Sequence, residues 1–244
     1  MGKLKGLLKI TGEFDGLLFY ELNGKIIIRK KSGFEGKAIK SQPNYERTRE
    51  NASEFGSVVQ TGKKMRFALH PFLKKIHSPY LHNHIVKKLH EIMRCDTVSE
   101  RGKRSAAKGL LTEEGKALLS GFEFNEKLPM SRMVTGRYLF SVAEGQLVFP
   151  ALKREDIRFP EYATHVALTL AVLWFDAEKQ AFQLSMGDRL VLAKAGFDEH
   201  QVLAMARMDG EGIPMGLLFG EFLQEANGEL LELEGAGLRV VSIG

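Results

Sequence analysis

Apolar and polar residues alternate in two short stretches near the amino terminus. Residues 17–31 read LLFYELNGKIIIRKK, so two strand-like runs flank the pair Asn23-Gly24. Both central residues of a type I′ turn need a positive φ angle, which Asn and Gly tolerate best. The pattern therefore predicts a β-hairpin. The segment that follows, residues 32–44, contains Gly, Lys, Ser and Pro and is predicted to be a loop or arm.

The spacing of apolar residues changes to that of a helix between Asn51 and Leu73. The following residues recur there at steps of one, three or four: Phe55, Val58, Val59, Gly62, Met65, Leu69 and Phe72. This spacing places them on one face of an amphipathic helix, which Pro71 should interrupt. A second amphipathic helix is predicted from Tyr80 to Arg94, because its apolar residues also repeat with the helical period.

The rest of the chain changes from a polar connection to strands. Residues 97–121 are polar, glycine-rich and basic, and we interpret them as an extended connection with a short helix near Glu113–Leu119. From Val134 onward strand patterns dominate. If THVALTLAVLWF is extended, one face carries Val166, Leu168, Leu170, Val172 and Trp174. About seven short strands separated by glycine-containing turns favour an antiparallel sandwich or barrel.

These elements predict the fold class α+β. An N-terminal β-hairpin and two amphipathic helices precede an antiparallel β-sandwich or barrel, and the hairpin is a candidate extra strand pair for the sheet of that sandwich. We divide the chain into a basic hairpin-plus-helical region, residues 1–125, and an acidic β-sandwich, residues 126–244. One intertwined domain is the alternative.

Charge supports this division. Residues 1–125 hold 24 Lys and Arg against 13 Asp and Glu, a difference of +11, whereas residues 126–244 hold 11 against 17, a difference of −6. Regions of opposite sign can attract each other within one chain, or head to tail between copies. Random drift of charge along the chain, without a function, explains the same asymmetry equally well.

Composition favours the cytoplasm and no membrane insertion. No apolar run reaches the roughly 18 residues that span a bilayer. The basic N-terminal stretch is too short and too broken in its apolar part for a signal peptide. Cys95 is the single cysteine, so no disulfide can form within the chain, which fits a reducing compartment.

The stretch EFGSVVQTGKKMR, residues 54–66, resembles a phosphate-binding loop at first sight. Five residues separate Gly56 from Gly62 instead of four, and Lys63 is followed by Lys64 rather than by the hydroxyl residue that would bind magnesium. The helical period also passes through both glycines. We therefore interpret Gly56 and Gly62 as points of close packing in a helix.

The sequence also offers no convincing metal site, nucleophile or acid–base pair. Five histidines cluster in one segment without a spacing that suits zinc: His70, His77, His82, His84 and His90. Cys95, at the end of an apolar helix, is interpreted as a packing residue. Carboxylates such as Glu221 and Glu225 are interpreted as solvated, and a glycosidase pair is left open. We assign no catalytic, metal-binding or cofactor-binding residue and expect no cofactor.

The basic region offers a second kind of surface. Its candidate residues are Lys63, Lys64, Lys87, Lys88, Arg101, Lys103 and Arg104. Such a surface could neutralise phosphates of a nucleic acid. No helix-turn-helix spacing, zinc finger or stacking platform accompanies it, so a basic surface that keeps the protein soluble, or docking to an acidic protein surface, explains it as well.

Three stretches resemble a family of uncharacterised Bacteroidota proteins. They are RTRENASEFG with GKKMRFAL (47–69), GKR…G…LLSGFEFN (102–125) and GEFLQEANGELLELEGAGLRVVSI (220–243). The shared motifs are TREN-x-x-EFG and F-x-Q-x-x-NG, and the resemblance extends over most of the chain. The resemblance implies no activity. It draws attention to Arg47, Arg49, Glu50, Glu54 and Arg66, whose alternating charges suit ion-paired docking of segments, within a chain or between copies.

Two functions compete on this basis. The first is a non-enzymatic structural protein that self-associates into a homo-oligomer, ring, tube or filament through complementary basic and acidic halves. The second is a nucleic-acid-associated protein that uses its basic half. An enzyme whose carboxylates or histidines meet only in the folded chain is the third alternative.

Overall fold

The computed structural model describes residues 2–4, 10–31, 36–206 and 210–244, and it confirms the α+β class. The chain forms two compact units, Met1–Arg49 and Glu50–Gly244. The predicted division near residue 125 does not coincide with this one, because the helices of residues 50–125 share a core with the strands that follow them.

The first unit is built on a four-stranded antiparallel sheet with strand order β1-β4-β3-β2. Its elements are β1 Gly2–Leu4, β2 Gly12–Phe14, β3 Leu17–Leu22, β4 Lys25–Lys30 and α1 Gly36–Ser41. The predicted hairpin is confirmed as β3–β4: Asn23 and Gly24 have φ angles of 51° and 73°, as a type I′ turn requires. The hairpin pairs with β1 and β2, so the expectation that it joins the sandwich sheet is wrong.

The segment predicted as a loop, residues 32–44, lies partly outside the described residues. Where the structure describes it, α1 is followed by a 3₁₀ turn at Pro43–Tyr45, so this part is helical. The prediction of a loop is wrong for these residues, because local hydrogen bonds such as Gln42 N–H to Ala38 C=O close helical turns.

Six further α-helices follow in the residues that the structure describes. They are α2 Glu46–Ala68, α3 His70–Leu73, α4 Leu81–Met93, α5 Ala106–Gly109, α6 Glu113–Leu119 and α7 Met130–Met133. The two predicted amphipathic helices are α2 and α4, and Pro71 lies in the first turn of α3, where a missing N–H costs nothing. The short helix at Glu113–Leu119 is confirmed. The rest of residues 97–121 is not simply extended, because α5 interrupts it.

The buried face of α2 differs from the predicted one. Its buried residues are Glu54, Val58, Thr61, Gly62 and Met65, while Phe55 is exposed. A Cβ on Gly62 would lie 3.4 Å from the Leu89 side chain, so Gly62 is the close-packing point between α2 and α4. A Cβ on Gly56 would have no neighbour within 4 Å, and the packing role predicted for it is wrong.

Strands form most of the chain after α7. They are β5 Leu139–Ser141, β6 Gln146–Phe149, β7 His165–Asp176, β8 Ala181–Ala193, β9 Gln201–Ala204, β10 Ile213–Ala226 and β11 Glu229–Ile243. One antiparallel sheet has the order β11-β10-β7-β8 and another the order β5-β6-β9. Several of the short strands expected from the sequence are parts of longer ones, because β8 continues through Gly187 and β11 through Gly235.

The four-stranded sheet of the second unit lies between two layers. On one side, residues of α2 and α4 such as Met65 and Leu89 share a core with Leu173 of β7. On the other side, the three-stranded sheet contributes Leu147 and Leu203 to a second core. The predicted face from Val166 to Trp174 lies in this second core. The chain therefore forms the predicted pair of sheets, with a helical layer added.

Candidate interaction surfaces

In the described part of the chain we find no side chains arranged as a metal-binding or catalytic site. No group of three or more His, Cys, Asp or Glu residues there is placed to hold a metal ion. The His84 ring packs on Phe122 with 4.7 Å between centroids and lies 3.5 Å from a Glu126 carboxylate oxygen. Burial raises the pKa of the Cys95 thiol, and a protonated thiol is a poor nucleophile.

Glu54 attaches the loop between α4 and α5, residues 94–105, to α2. Its carboxylate accepts hydrogen bonds from Nε and Nη2 of Arg104, at 2.8 and 2.9 Å, and from the backbone N–H of Gly102 at 2.7 Å. The hydrogen bond from Arg104 lowers the pKa of Glu54 more than burial raises it. The side chain predicted to dock a segment therefore does so inside its own chain.

Asp96 organises the same loop and was not singled out from the sequence. Its buried carboxylate accepts the N–H groups of Val98, Ser99 and Ser105 at 3.3, 3.0 and 3.0 Å. Burial raises the pKa of Asp96, but these hydrogen bonds outweigh it, so the pKa lies below its usual range. A polar loop residue carries no sequence signal of such burial, because its partners are backbone groups that every residue has.

Arg101 and Glu50 strengthen the attachment of this loop to α2. Arg101 Nε lies 3.2 Å from the Glu50 carboxylate, and its Nη2 donates to the Asn51 side chain at 3.2 Å. Glu50 was predicted as a docking residue, whereas Arg101 was predicted as part of a basic surface. The structure places the two side chains in an ion pair, so each partly neutralises the charge of the other.

Arg49 and Arg66, which were also predicted to be docking residues, make local contacts. Arg49 Nη1 donates to the carbonyl oxygens of Ile39 and Gln42 at 2.8 and 2.9 Å, at the end of α1. Arg66 Nε donates to the Gly62 carbonyl within α2 at 3.3 Å, and Arg47 also has an interaction partner. Whether these residues contact a second copy stays a prediction.

A third buried carboxylate joins the segment after α3 to the central sheet. Glu221 on β10 lies 2.7 Å from Lys75 Nζ and also pairs with Arg189 on β8. Its side chain is only 5% exposed, so its interpretation as solvated is wrong. Glu232 on β11 adds a contact of 2.6 Å to Lys75. Burial lowers the pKa of Lys75, but hydrogen bonds to both glutamates outweigh it and raise the pKa.

The predicted basic surface is partly neutralised by neighbouring carboxylates. Lys88 pairs with Glu91 at 2.6 Å, and Lys103 pairs with Glu100 at 2.8 Å. Within the described ranges, neither Lys63 nor Lys87 has a carboxylate oxygen within 4.0 Å. The uncompensated charge therefore lies in two places on α2 and α4 rather than along the whole predicted surface.

Lys63 borders the first of two grooves. This groove, here called the lysine groove, has a volume of about 810 Å³ between α2–α3 and the turn that joins β7 to β8. Its lining includes Lys63, Lys64, Phe67, Lys179, Phe182 and Leu184. The Phe67 side chain is 85% exposed, and Lys64 Nζ donates to the Gln180 carbonyl across the groove at 2.9 Å. An apolar floor with a cationic rim suits an acidic, partly apolar ligand.

Lys87 borders the second, the arginine groove. It consists of two adjoining depressions of about 450 and 480 Å³ that share Phe55, His90 and Arg94. The first also contains Arg101 and Arg104, which are already paired with carboxylates.

The first unit exposes apolar side chains on both faces of its sheet. Phe14 pairs directly with Leu17 across β2 and β3, so both side chains lie on one face, while Leu22 lies on the other. Phe14 is 75% exposed, and Leu17 and Leu22 are also exposed. Ile26 and Ile27 of β4 are buried on opposite faces, so one face has a buried apolar centre with the exposed Phe14 and Leu17, and the other has a buried centre with the exposed Leu22.

The β10–β11 hairpin ends in an acidic and apolar tip, residues 224–231. Pairing of β10 with β7 ends at Leu223, whereas pairing of β10 with β11 continues to the turn. Leu230 and Leu231 are 43% and 51% exposed and, as neighbours in a strand, point to opposite faces. Asn227 and Gly228 have φ angles of 54° and 84° and close the hairpin tightly.

Comparison with protein-family models, curated proteins and solved structures found no significant match. Where the chain is described, none of its helices has the length and apolar content needed to cross a membrane.

Proposed function

We propose that this is a non-enzymatic structural protein that self-associates. The observation that supports the proposal best is the sheet of the first unit, which carries exposed apolar side chains on both faces. Strands that are apolar on both faces are typical of sheets covered by a layer on each side. A second copy of the chain would cover the side chains that this sheet leaves exposed.

Charge layout supports the same proposal. The basic and acidic regions of the sequence leave Lys63 uncompensated at the lysine groove and acidic residues at the β10–β11 tip, while the buried carboxylates are used to hold the chain together. Complementary surfaces of this kind set partner choice and orientation in protein association. The resemblance to Bacteroidota proteins and the cytoplasmic location remain predictions. The proposed function does not require a cofactor.

The test measures the size of the full-length protein by sedimentation velocity and negative-stain microscopy over a wide range of concentration, at low and high salt. We expect oligomers or filaments in the wild type. Replacing both Phe14 and Leu22 with Lys should weaken association at least tenfold. The same substitution of the exposed Leu139, which lies in the second unit, is the matched control. A strictly monomeric wild type at every concentration would refute the proposal.

Binding of a nucleic acid is the second candidate. It is favoured by the arginine groove, where the exposed Phe55 ring lies beside Arg94 and His90. An aromatic ring next to cations is the arrangement that binds single strands by base stacking and phosphate contacts. A labelled single-stranded oligonucleotide should bind with steep salt dependence, and Arg94→Ala should weaken it. Absence of binding at low salt would remove this candidate.

A further inference from the structure

We infer that the β10–β11 tip of one copy docks into the lysine groove of the next, so that copies join head to tail. This inference rests on the proposed self-association and identifies the two surfaces that would meet. It is independent of the sheet in the first unit, because both surfaces belong to residues 50–244.

The two surfaces lie at opposite ends of one sheet. Strand β7 runs from His165 to Asp176 and is antiparallel to β10, so the tip follows the His165 end of β7. The lysine groove borders the turn after Asp176, at the other end. A 12-residue strand is about 40 Å long. Its pairing within β10 and β11 holds the tip at the His165 end, so the tip lies outside the groove of its own copy and a contact between them joins two copies.

Their chemistry is complementary. Glu225 and Glu229 are exposed at the tip, and no basic side chain lies within 4.0 Å of either among the residues that the structure describes. The groove supplies Lys63 and Lys64 beside Phe67. Contact would neutralise charges that are otherwise solvated and would cover Leu230, Leu231 and Phe67, which are large exposed apolar side chains.

Their shapes also correspond. A two-stranded ribbon with one exposed leucine on each face suits insertion between two walls rather than contact with a flat surface. The lysine groove has two such walls, one formed by α2 and α3 near Phe67 and Pro71, the other by Phe182 and Leu184 of β8. Its volume of about 810 Å³ is within the range of clefts that bury a sizeable ligand, about 300–1,000 Å³.

The symmetry of this contact predicts the type of assembly. Tip and groove are different surfaces, so the contact is heterologous, and each added copy presents a new tip and a new groove. Such a contact closes into a ring when its rotation returns to the start, and otherwise continues as a filament. The contact should weaken at high salt, because its charges lie near the surface.

Site-specific cross-linking of full-length protein tests this contact directly. In a background with Cys95→Ser, one variant carries Leu231→Cys and another carries Phe67→Cys. A short bis-maleimide should link an equimolar mixture of the two into covalent dimers, while each variant alone stays uncrosslinked. A chain with both substitutions should give a ladder of covalent multimers. Phe55→Cys, an exposed phenylalanine of α2 outside the lysine groove, is the matched control and should not link to Leu231→Cys.

The outcomes separate this inference from the proposed function. If the wild type assembles but the mixture gives no dimer, or links equally through Phe55→Cys, the head-to-tail contact is wrong and self-association stands. If the wild type is monomeric at every concentration, self-association fails and the inference with it. As a second measurement, Lys63→Glu should raise the concentration needed for assembly at least tenfold, and adding Glu229→Lys in the same chain should restore it in part.

Discussion

Glu54 on α2 and Arg104 before α5 lie 50 positions apart in the chain, and two parallel hydrogen bonds of 2.8 and 2.9 Å join their side chains. The carboxylate is almost fully buried, whereas the guanidinium is partly exposed. Because two donors meet two acceptors in one plane, the pair fixes both the position and the orientation of the loop. Glu54, the acidic residue of the TREN-x-x-EFG motif, therefore anchors this loop to α2.

Removing Arg104 should destabilise the fold. Arg104→Ala leaves the buried Glu54 carboxylate without its main partner, and loss of one member of a buried pair lowers the free energy of unfolding by about 3 kcal/mol. Urea denaturation followed by circular dichroism measures this. Lys103→Ala is the control, since its ion pair with Glu100 is fully exposed, and it should leave stability unchanged. Equal effects of the two substitutions would contradict the anchoring role.

Acid should weaken the same anchor. The pKa of Glu54 is lowered in the folded chain, so its contribution to stability is present above its unfolded pKa and is lost as the pH falls through the folded one. The unfolded value is about 4.3. The wild type should therefore exceed Glu54→Gln in stability at neutral pH, and the difference should shrink below about pH 4. A difference independent of pH between 3 and 7, roughly the span around that value, would show that the carboxylate charge is irrelevant.

The two glutamates that contact Lys75 should differ in importance. Glu221→Gln removes a charge that is 5% exposed and lies between Lys75 and Arg189, and we expect a loss of about 3 kcal/mol. Glu232→Gln changes a side chain that is 50% exposed and should cost less than about 1 kcal/mol. Thermal and urea denaturation of both variants decide this, and a larger effect at Glu232 would show that Glu221 is solvated after all.

The two glycines of α2 should respond differently to a large side chain. Gly62→Leu would push α4 away at Leu89 and Ile85, and overpacking of this kind costs about 1–3 kcal/mol. Gly56→Leu enters open space and replaces a poor helix former, so it should stabilise the protein by about 0.5–1 kcal/mol. Chemical denaturation of the two variants gives the comparison. Similar losses at both positions would mean that Gly56 is also a packing point.

Local patterns in the sequence were sufficient for the elements that depend on near neighbours. The β3–β4 turn at Asn23-Gly24, the helices α2 and α4 and the apolar face of β7 follow from turn geometry and from hydrophobic periods of 3.6 and 2. Gly62 as a packing point also follows from its place in the helical period. The α+β class results from the order of these elements along the chain.

Tertiary structure decided which charges are buried and which surfaces remain open. Glu54 and Arg104, or Glu221 and Lys75, are partners because the fold brings distant segments together, and a carboxylate has the same local sequence signal whether it is solvated or paired. The same reason applies to the tip and the lysine groove. Leu230 and Phe67 have the appearance of core residues in the sequence. They are exposed because the tip extends past the end of β7 and because Phe67 lies on the face of α2 that no other element in the described ranges covers. Side-chain exposure is a property of the packed chain, because it depends on what the rest of the chain covers.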